Sequence, residues 1–397
     1  MQHRFADRMA NPHRTFIPEI LKVTEDPEII SFAGGLPNPA YFPVEAIAAA
    51  TAKVMRDSGQ SVLQYATTQG YLPLREYIAR RYWEKKGIRM DPDQVLITNG
   101  SQQGFDLVGR LFLNPGDGVI VEQPAYHGAL GAFNLYKPTF YSVPMRDDGI
   151  DPDLLERVCQ NPGIKLLYTA PNFQNPSGLT YSDARRRGVA AIMGRHGLLL
   201  VEDDPYGELR FRGEHLPSMR SYLDSTIMLG TFSKTVAPGF RIGWACASRE
   251  IIEQMTLAKQ AVDIHSSSVD QRILHQYLIE NDVDAHIAIL TEGYRKQREQ
   301  MIGCLAEFCP PGIRYTQPDG GMFLWVTLPE GLSALQMFDM AAEEKVAFVP
   351  GQAFHVGGKG GDGNMRLSYS TSSGEAIREG SRSLGRVMER AMALAIS

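Results

Sequence analysis

From about residue 94 onward, short apolar runs alternate with stretches of helical periodicity, and this rhythm constrains the fold more than any other feature of the chain. The runs cover residues 94–98, 118–122, 164–169, 198–203, 226–230 and 242–247. Each is continuously apolar instead of alternating in polarity, the pattern of strands buried on both faces. Helical segments between several of them imply βαβ units and a mostly parallel sheet covered by helices, a three-layer α/β arrangement.

The flanking segments read differently. Residues 1–30 form a polar arm with a short helix over 17–23, followed by a Gly/Pro-rich loop from Ser31 to Pro39. Helices are expected over 44–57 and 72–86. A long helical stretch over 249–279, broken near 265–268, follows the last apolar run. The next helix, 283–308, crosses to a second unit. Strands at 322–326, 347–349 and 364–370, a helix over 334–344 and a terminal helix make that unit a smaller α+β domain. At 397 residues and roughly 150 residues per domain, two or three units are expected. The division is an arm and part of the small domain at 1–45, a large domain at 46–290 and a small domain at 291–397.

Composition excludes several classes of function. Hydrophobic residues make up 43%, charged residues 21%, and the net charge is −5, so no basic stripe marks a nucleic-acid binder. No apolar run approaches the ~20 residues that span a bilayer, and the amino-terminal residues lack the apolar core of a secretory signal. The 4 cysteines form no CxxC pair and read as reduced thiols of a cytoplasmic protein. Cys304 and Cys309 have no histidine nearby, so no metal site is expected.

In open α/β sheets, ligands bind beyond the carboxyl ends of the strands. Polar and aromatic residues follow run after run: Thr98-Asn99-Gly100-Ser101-Gln102-Gln103, Glu122-Gln123-Pro124-Ala125-Tyr126, residues 170–178, Glu202-Asp203-Asp204-Pro205-Tyr206 and Gly230-Thr231-Phe232-Ser233-Lys234. Gly100-Ser101-Gln102 opens a helix directly after a strand, where free N–H groups and the helix dipole attract an anion. Ser101 suits a plain N-cap equally well. Lys234 follows a buried strand, where desolvation would lower its pKa and free a neutral amine for imine formation; a solvated rim lysine is the alternative. Arg241, entering a buried strand, suits bidentate phosphate binding or a solvated rim. Asp203 ends an apolar run and needs a cation if ionised, or caps a helix, and Asp204 competes for the same part. The cluster Gly358-Lys359-Gly360-Gly361-Asp362-Gly363 matches GxGxxG but leads into a strand, so no dinucleotide site is expected. His127 and His265 read as structural, and Glu343-Glu344 as a solvated helix face.

Segments Ser31–Pro37, Leu63-Gln64-Tyr65, Thr98–Gln103, Phe173-Gln174-Asn175-Pro176-Ser177-Gly178, Glu202–Tyr206, Phe232-Ser233-Lys234 and Met365-Arg366-Leu367-Ser368-Tyr369, in this order, give the chain a resemblance to fold-type I pyridoxal-phosphate enzymes of the class I/II aminotransferases. It runs from about residue 14 to about residue 390 and is closest to the branch of 2-aminoadipate and kynurenine aminotransferases. The resemblance implies pyridoxal 5'-phosphate as cofactor, L-amino acids and 2-oxo acids as substrates, and a homodimer. It assigns Lys234 as the Schiff-base lysine and proton shuttle, and Asp203, three residues before Tyr206, as partner of the pyridine nitrogen. Tyr206 and Asn175 would bond the phenolic oxygen, and Tyr126 would stack on the ring. Ser101, Gln102, Ser233, Arg241 and Thr231 would hold the phosphate, joined by Tyr65 of the neighbouring subunit. Arg366, with Asn175 and Gly35, would take the substrate carboxylate.

One departure bears on substrate. Aminoadipate-specific members carry an arginine on the short amino-terminal helix, where this chain has Pro18; Arg14 is nearby but not aligned. A neutral aromatic or aliphatic amino donor is therefore expected, ahead of 2-aminoadipate, with 2-oxoglutarate or pyruvate as acceptor. A racemase or lyase on the same fold, or a silent cofactor-binding sensor, are the competing functions.

Overall fold

The apolar runs become strands at the expected places, each within a residue of its expected ends, in a computed structural model that describes residues 5–9, 26 and 28–396. In chain order the strands are β1 (Ile30–Ser31), β2 (Val95–Asn99), β3 (Gly118–Gln123), β4 (Thr139–Arg146), β5 (Gly149–Ile150), β6 (Ile164–Thr169), β7 (Leu199–Asp203), β8 (Thr226–Thr231), β9 (Ile242–Cys246), β10 (Arg314–Tyr315), β11 (Phe323–Thr327), β12 (Val346–Ala347), β13 (Val349–Pro350) and β14 (Asn364–Ser368). The short helix expected over 17–23, with Arg14 and Pro18, lies outside the described residues.

An 8-stranded sheet in the order β2-β9-β8-β7-β6-β3-β4-β5 forms the larger layer. Strands β8, β7, β6, β3 and β4 run parallel, and β9 runs antiparallel to both its neighbours. After β3 the chain goes to β4 on one side and later returns to β6 on the other, which makes a topological switch point beside β3. Apolar clusters fill both faces, one with Phe105, Val121, Tyr168 and Leu229, the others with Ile97 and Ile242 or Leu167 and Leu200. Burial on both faces is the reason these strands are continuously apolar.

The helix Val44–Val62 outlasts its expected end at 57. Ala50, Val54 and Val62 are buried on one face and carry the helix past that point. The long stretch from 249 breaks as expected, into Arg249–Asp263 and Ser268–Glu280, with Ile264 at φ 63 between them and Ser267 capping the second helix.

The second sheet, 4-stranded, has the order β10-β11-β14-β13 and is antiparallel. The single strand expected over 347–349 is two: Val346–Ala347 pairs with β1, Val349–Pro350 with β14. Phe348 between them is fully buried, so the chain changes sheets about an apolar pivot. Residues 30–33 join this unit, because Phe32 N donates to Ala347 O and Phe32 O accepts from Ser368 N. One apolar cluster ties Phe32 to Met301 and Leu305 of the helix Val283–Phe308 and to Leu384 and Met388 of the helix Gly374–Ile396.

Candidate active site

Where the carboxyl ends of the parallel strands face the 31–42 segment and β14, the chain encloses a cavity of about 920 Å³. Every site residue singled out from the sequence lines it except Tyr65. Tyr65 is 80% exposed and packs edge-on against His265, ring centroids 5.8 Å apart.

At one end of the cavity lies a cradle for an anion. The helix Gly100–Phe112 follows β2 without a break, and its N-cap is Asn99, not Ser101. Asn99 makes no side-chain cap bond; its Nδ2 donates instead to Asp263 Oδ2 at 2.7 Å. The first N–H groups of the helix are thus left without a side-chain cap, and Ser101 and Gln102 of its first turn line the cavity. Gly100 sits at φ +67, and a Cβ there would lie 2.5 Å from Arg241 Nη2, so only glycine lets that guanidinium close over the helix start. Arg241, at φ 53, donates from Nη1 to Ser233 Oγ at 3.5 Å, and Thr231 Oγ1 donates to the same oxygen at 2.9 Å. Gln102 Nε2 donates to Gly128 O at 2.9 Å, tying the helix start to the turn behind Tyr126.

Side chains alternate along an extended chain, and this separates the two aspartates. Asp204 pairs with Lys86 and accepts from Asn172 Nδ2 at 2.8 Å; burial is the largest influence and opposes its ionisation, but the Lys86 charge, the hydrogen bonds from Lys86 and Asn172 and the Arg186 charge together outweigh it and hold its pKa below the usual carboxylate range. Asp203 lines the cavity. Its Oδ2 accepts from Tyr168 OH at 3.1 Å, its Oδ1 has no partner, and burial pushes its pKa up to about 8. A buried carboxylate oxygen without a donor fits the protonated ring nitrogen of pyridoxal phosphate, and the cradle some way off fits its phosphate.

The remaining groups surround the space between. Lys234 Nζ donates to Gly35 O at 2.8 Å; burial, then the Arg366 and Arg241 charges, lower its pKa to about 8. Burial drives the Tyr206 phenol far above its ordinary pKa, so it stays a donor, and Asn175 Nδ2 reaches its oxygen at 3.5 Å. Arg366, 3% exposed on β14, donates from Nη1 to Asn175 Oδ1 at 2.8 Å and from Nη2 to Ala33 O at 2.6 Å, both neutral acceptors. Its guanidinium lies over the rings of Phe323 (4.5 Å) and Phe354 (5.0 Å). Burial lowers its pKa to about 10, and it remains a cation awaiting an anion.

Sequence reasoning missed Tyr168, which sits inside an apolar run and gives no local sign of its bond to Asp203. His127, expected to be structural, lines the cavity beside Tyr126, ring centroids 4.9 Å apart.

The family model described as "Aminotransferase class I and II" matches residues 29–384. Over 98% of this chain and 94% of the relative, the sequence is 40% identical to Aromatic-amino-acid aminotransferase 1 of Thermococcus litoralis. It is 44% identical to 2-aminoadipate transaminase of Thermus thermophilus, over 95% of this chain and 94% of that protein. The crystal structure of alpha-aminoadipate aminotransferase from Thermus thermophilus, complexed with N-(5'-phosphopyridoxyl)-L-leucine, superposes with a TM-score of 0.91 at 41% identity, covering 98% of both chains.

Proposed function

The chain belongs to the class I and II aminotransferases and uses pyridoxal 5'-phosphate, and on that premise we propose that it moves the amino group of a neutral L-amino acid, aromatic or aliphatic, to 2-oxoglutarate or pyruvate. The observation that carries the choice of donor is the wall beside Arg366. Leu36, Pro39, Phe42 and Val349 line the cavity together with Arg366, and Val349 is the β-sheet partner of Arg366 itself. A relative named for aromatic amino acids, and another whose structure holds a leucine adduct, support the same reading.

In this reading Arg366 binds the α-carboxylate as a planar fork, held by Asn175 and the Ala33 carbonyl, with Gly35 leaving room beside it. This orients the Cα–H bond toward Lys234 Nζ. Lys234 would hold the cofactor covalently and, once the incoming substrate amine has displaced it, its freed amine would carry the Cα proton, a task suited to an amine titrating near working pH. When bound, the cofactor supplies an electron sink for the pair released at Cα. Asp203 Oδ1 would receive the ring N–H, Tyr206 and Asn175 would donate to the phenolic oxygen, and Tyr126 would cover the ring face. Ser101, Gln102, Thr231, Ser233 and Arg241 hold the phosphate.

The active form in this reading is a cytoplasmic homodimer, with Tyr65 completing the neighbour's phosphate cradle; the exposure of Tyr65 and of Leu63 beside it supports that placement. In the same reading the units are an arm and part of the small domain at 1–45, a large domain at 46–290 and the rest of the small domain at 291–397. Steady-state rates on phenylalanine, leucine, alanine and 2-aminoadipate test the donor: a dominant rate on 2-aminoadipate would overturn it, and loss of amine without transfer to a 2-oxo acid would make the enzyme a lyase.

A further inference from the structure

Behind the loop that carries Asn175 sits a buried acid that does not itself line the cavity. Glu122, 1% exposed at the end of β3, accepts hydrogen bonds from Thr169 Oγ1 at 2.6 Å, Ala170 N at 3.1 Å and Tyr181 OH at 2.8 Å on one oxygen. Its other oxygen accepts from Gln174 Nε2 at 2.8 Å. All these donors are neutral, an expensive way to bury a charge if the loop merely needed holding.

The consequence runs through Gln174. A carboxylate only accepts, so Glu122 dictates which way the Gln174 amide faces. With Nε2 turned to Glu122 and to Pro124 O at 2.6 Å, Gln174 Oε1 is left to accept from Ser177 N at 3.0 Å and Ser177 Oγ at 2.5 Å. Gly178 N closes back on Gln174 O at 2.6 Å. The turn so fixed begins with Asn175, whose Oδ1 takes Arg366 Nη1 at 2.8 Å.

We propose that Glu122 is a positioning residue for the substrate-carboxylate site, acting through Gln174 to aim the Asn175 amide at Arg366. This rests on Arg366 as the carboxylate-binding residue.

The test is binding of 3-phenylpropionate, a carboxylate with no amino group, to the holoenzyme by calorimetry. Glu122→Gln turns an NH2 group against the Gln174 NH2 group, and its Kd for the carboxylate should rise about ten-fold, the worth of one misplaced buried polar contact. KM for the amino donor should rise with it, more than kcat falls. Gln174→Met, which leaves the other Glu122 contacts intact, should weaken binding in the same direction even if Glu122→Gln fails to fold. Unchanged Kd in the folded single variants, with only a lower Tm, would overturn the proposal. Arg366→Gln serves as the control: if it binds the carboxylate as tightly as the parent enzyme, the Arg366 reading falls and the proposal with it, whereas a weak Arg366→Gln beside an unaffected Glu122→Gln sinks the proposal alone.

Discussion

Tyr168 OH meets Asp203 Oδ2 at 3.1 Å and leaves the other Asp203 oxygen without a donor. The hydroxyl fixes the plane of the carboxylate while supplying half of what its charge requires. Burial pushes the Asp203 pKa up to about 8 from 3.8, so the folded apoprotein keeps a proton that the unfolded chain releases across that interval.

The sign of the resulting pH dependence is set by that raised value. Stability owed to this proton is complete below pH 3.8 and is lost as pH rises through about 8. Asp203→Asn keeps an acceptor for Tyr168 and removes the loss. Urea unfolding of the apoproteins should show the variant gaining on the parent by a few kcal/mol, an order-of-magnitude figure, between pH 5 and pH 8. Its transamination should collapse. A variant that lost ground to the parent as pH rose would contradict the assignment.

Lys234 titrates the opposite way. Burial and the Arg366 and Arg241 charges lower its pKa to about 8, so the amine becomes neutral as pH rises through that value. Attachment of pyridoxal phosphate to the apoprotein, followed by stopped-flow absorbance, should accelerate about ten-fold per pH unit below 8 and level off above it. Lys234→Ala should fold, and should show neither the absorbance of covalently held cofactor nor transamination. A rate still climbing at pH 10 would mean an ordinary solvated lysine.

Arg366→Ala should impair the substrate and spare the cofactor. Loss of a buried, charge-assisted fork on a carboxylate is worth about a hundred-fold in KM. The affinity for pyridoxal phosphate, measured by fluorescence titration, should change little. A variant that shed its cofactor would place Arg366 elsewhere in the chemistry.

Gly100→Ala tests the cradle. The new Cβ would meet the Arg241 guanidinium at 2.5 Å on a backbone at φ +67. Binding of pyridoxal phosphate should weaken at least about ten-fold. Binding of pyridoxal, which has no phosphate, should be nearly untouched, and equal losses for both would point to general unfolding instead.

Much of this was legible in the sequence because burial leaves a plain pattern. Strands such as Ile164–Thr169, enclosed on both faces, read as unbroken apolar runs. Strand β4, Thr139–Arg146, did not: it lies toward the sheet edge, is mostly half-exposed and contains Pro144, so it never forms such a run. The loops after the strands named the cavity residues, since chemistry at a sheet rim is local in sequence. Choices that depend on where a neighbour lies were not readable from the residues alone. Asp203 faces the cavity because Lys86 and Asn172 claim Asp204, and Ser101 is free because Asn99, bound to Asp263, is the N-cap. Glu122 reads as one more polar residue after a strand; only the folded loop shows what it holds.

The central claim is a covalent bond between one amine and the cofactor, and peptide mass spectrometry of borohydride-reduced holoenzyme tests it most directly. The phosphopyridoxyl mass should appear on the peptide containing Lys234, in the segment Phe232-Ser233-Lys234. That peptide recovered unmodified, with the added mass on another lysine or on none, would contradict the assignment.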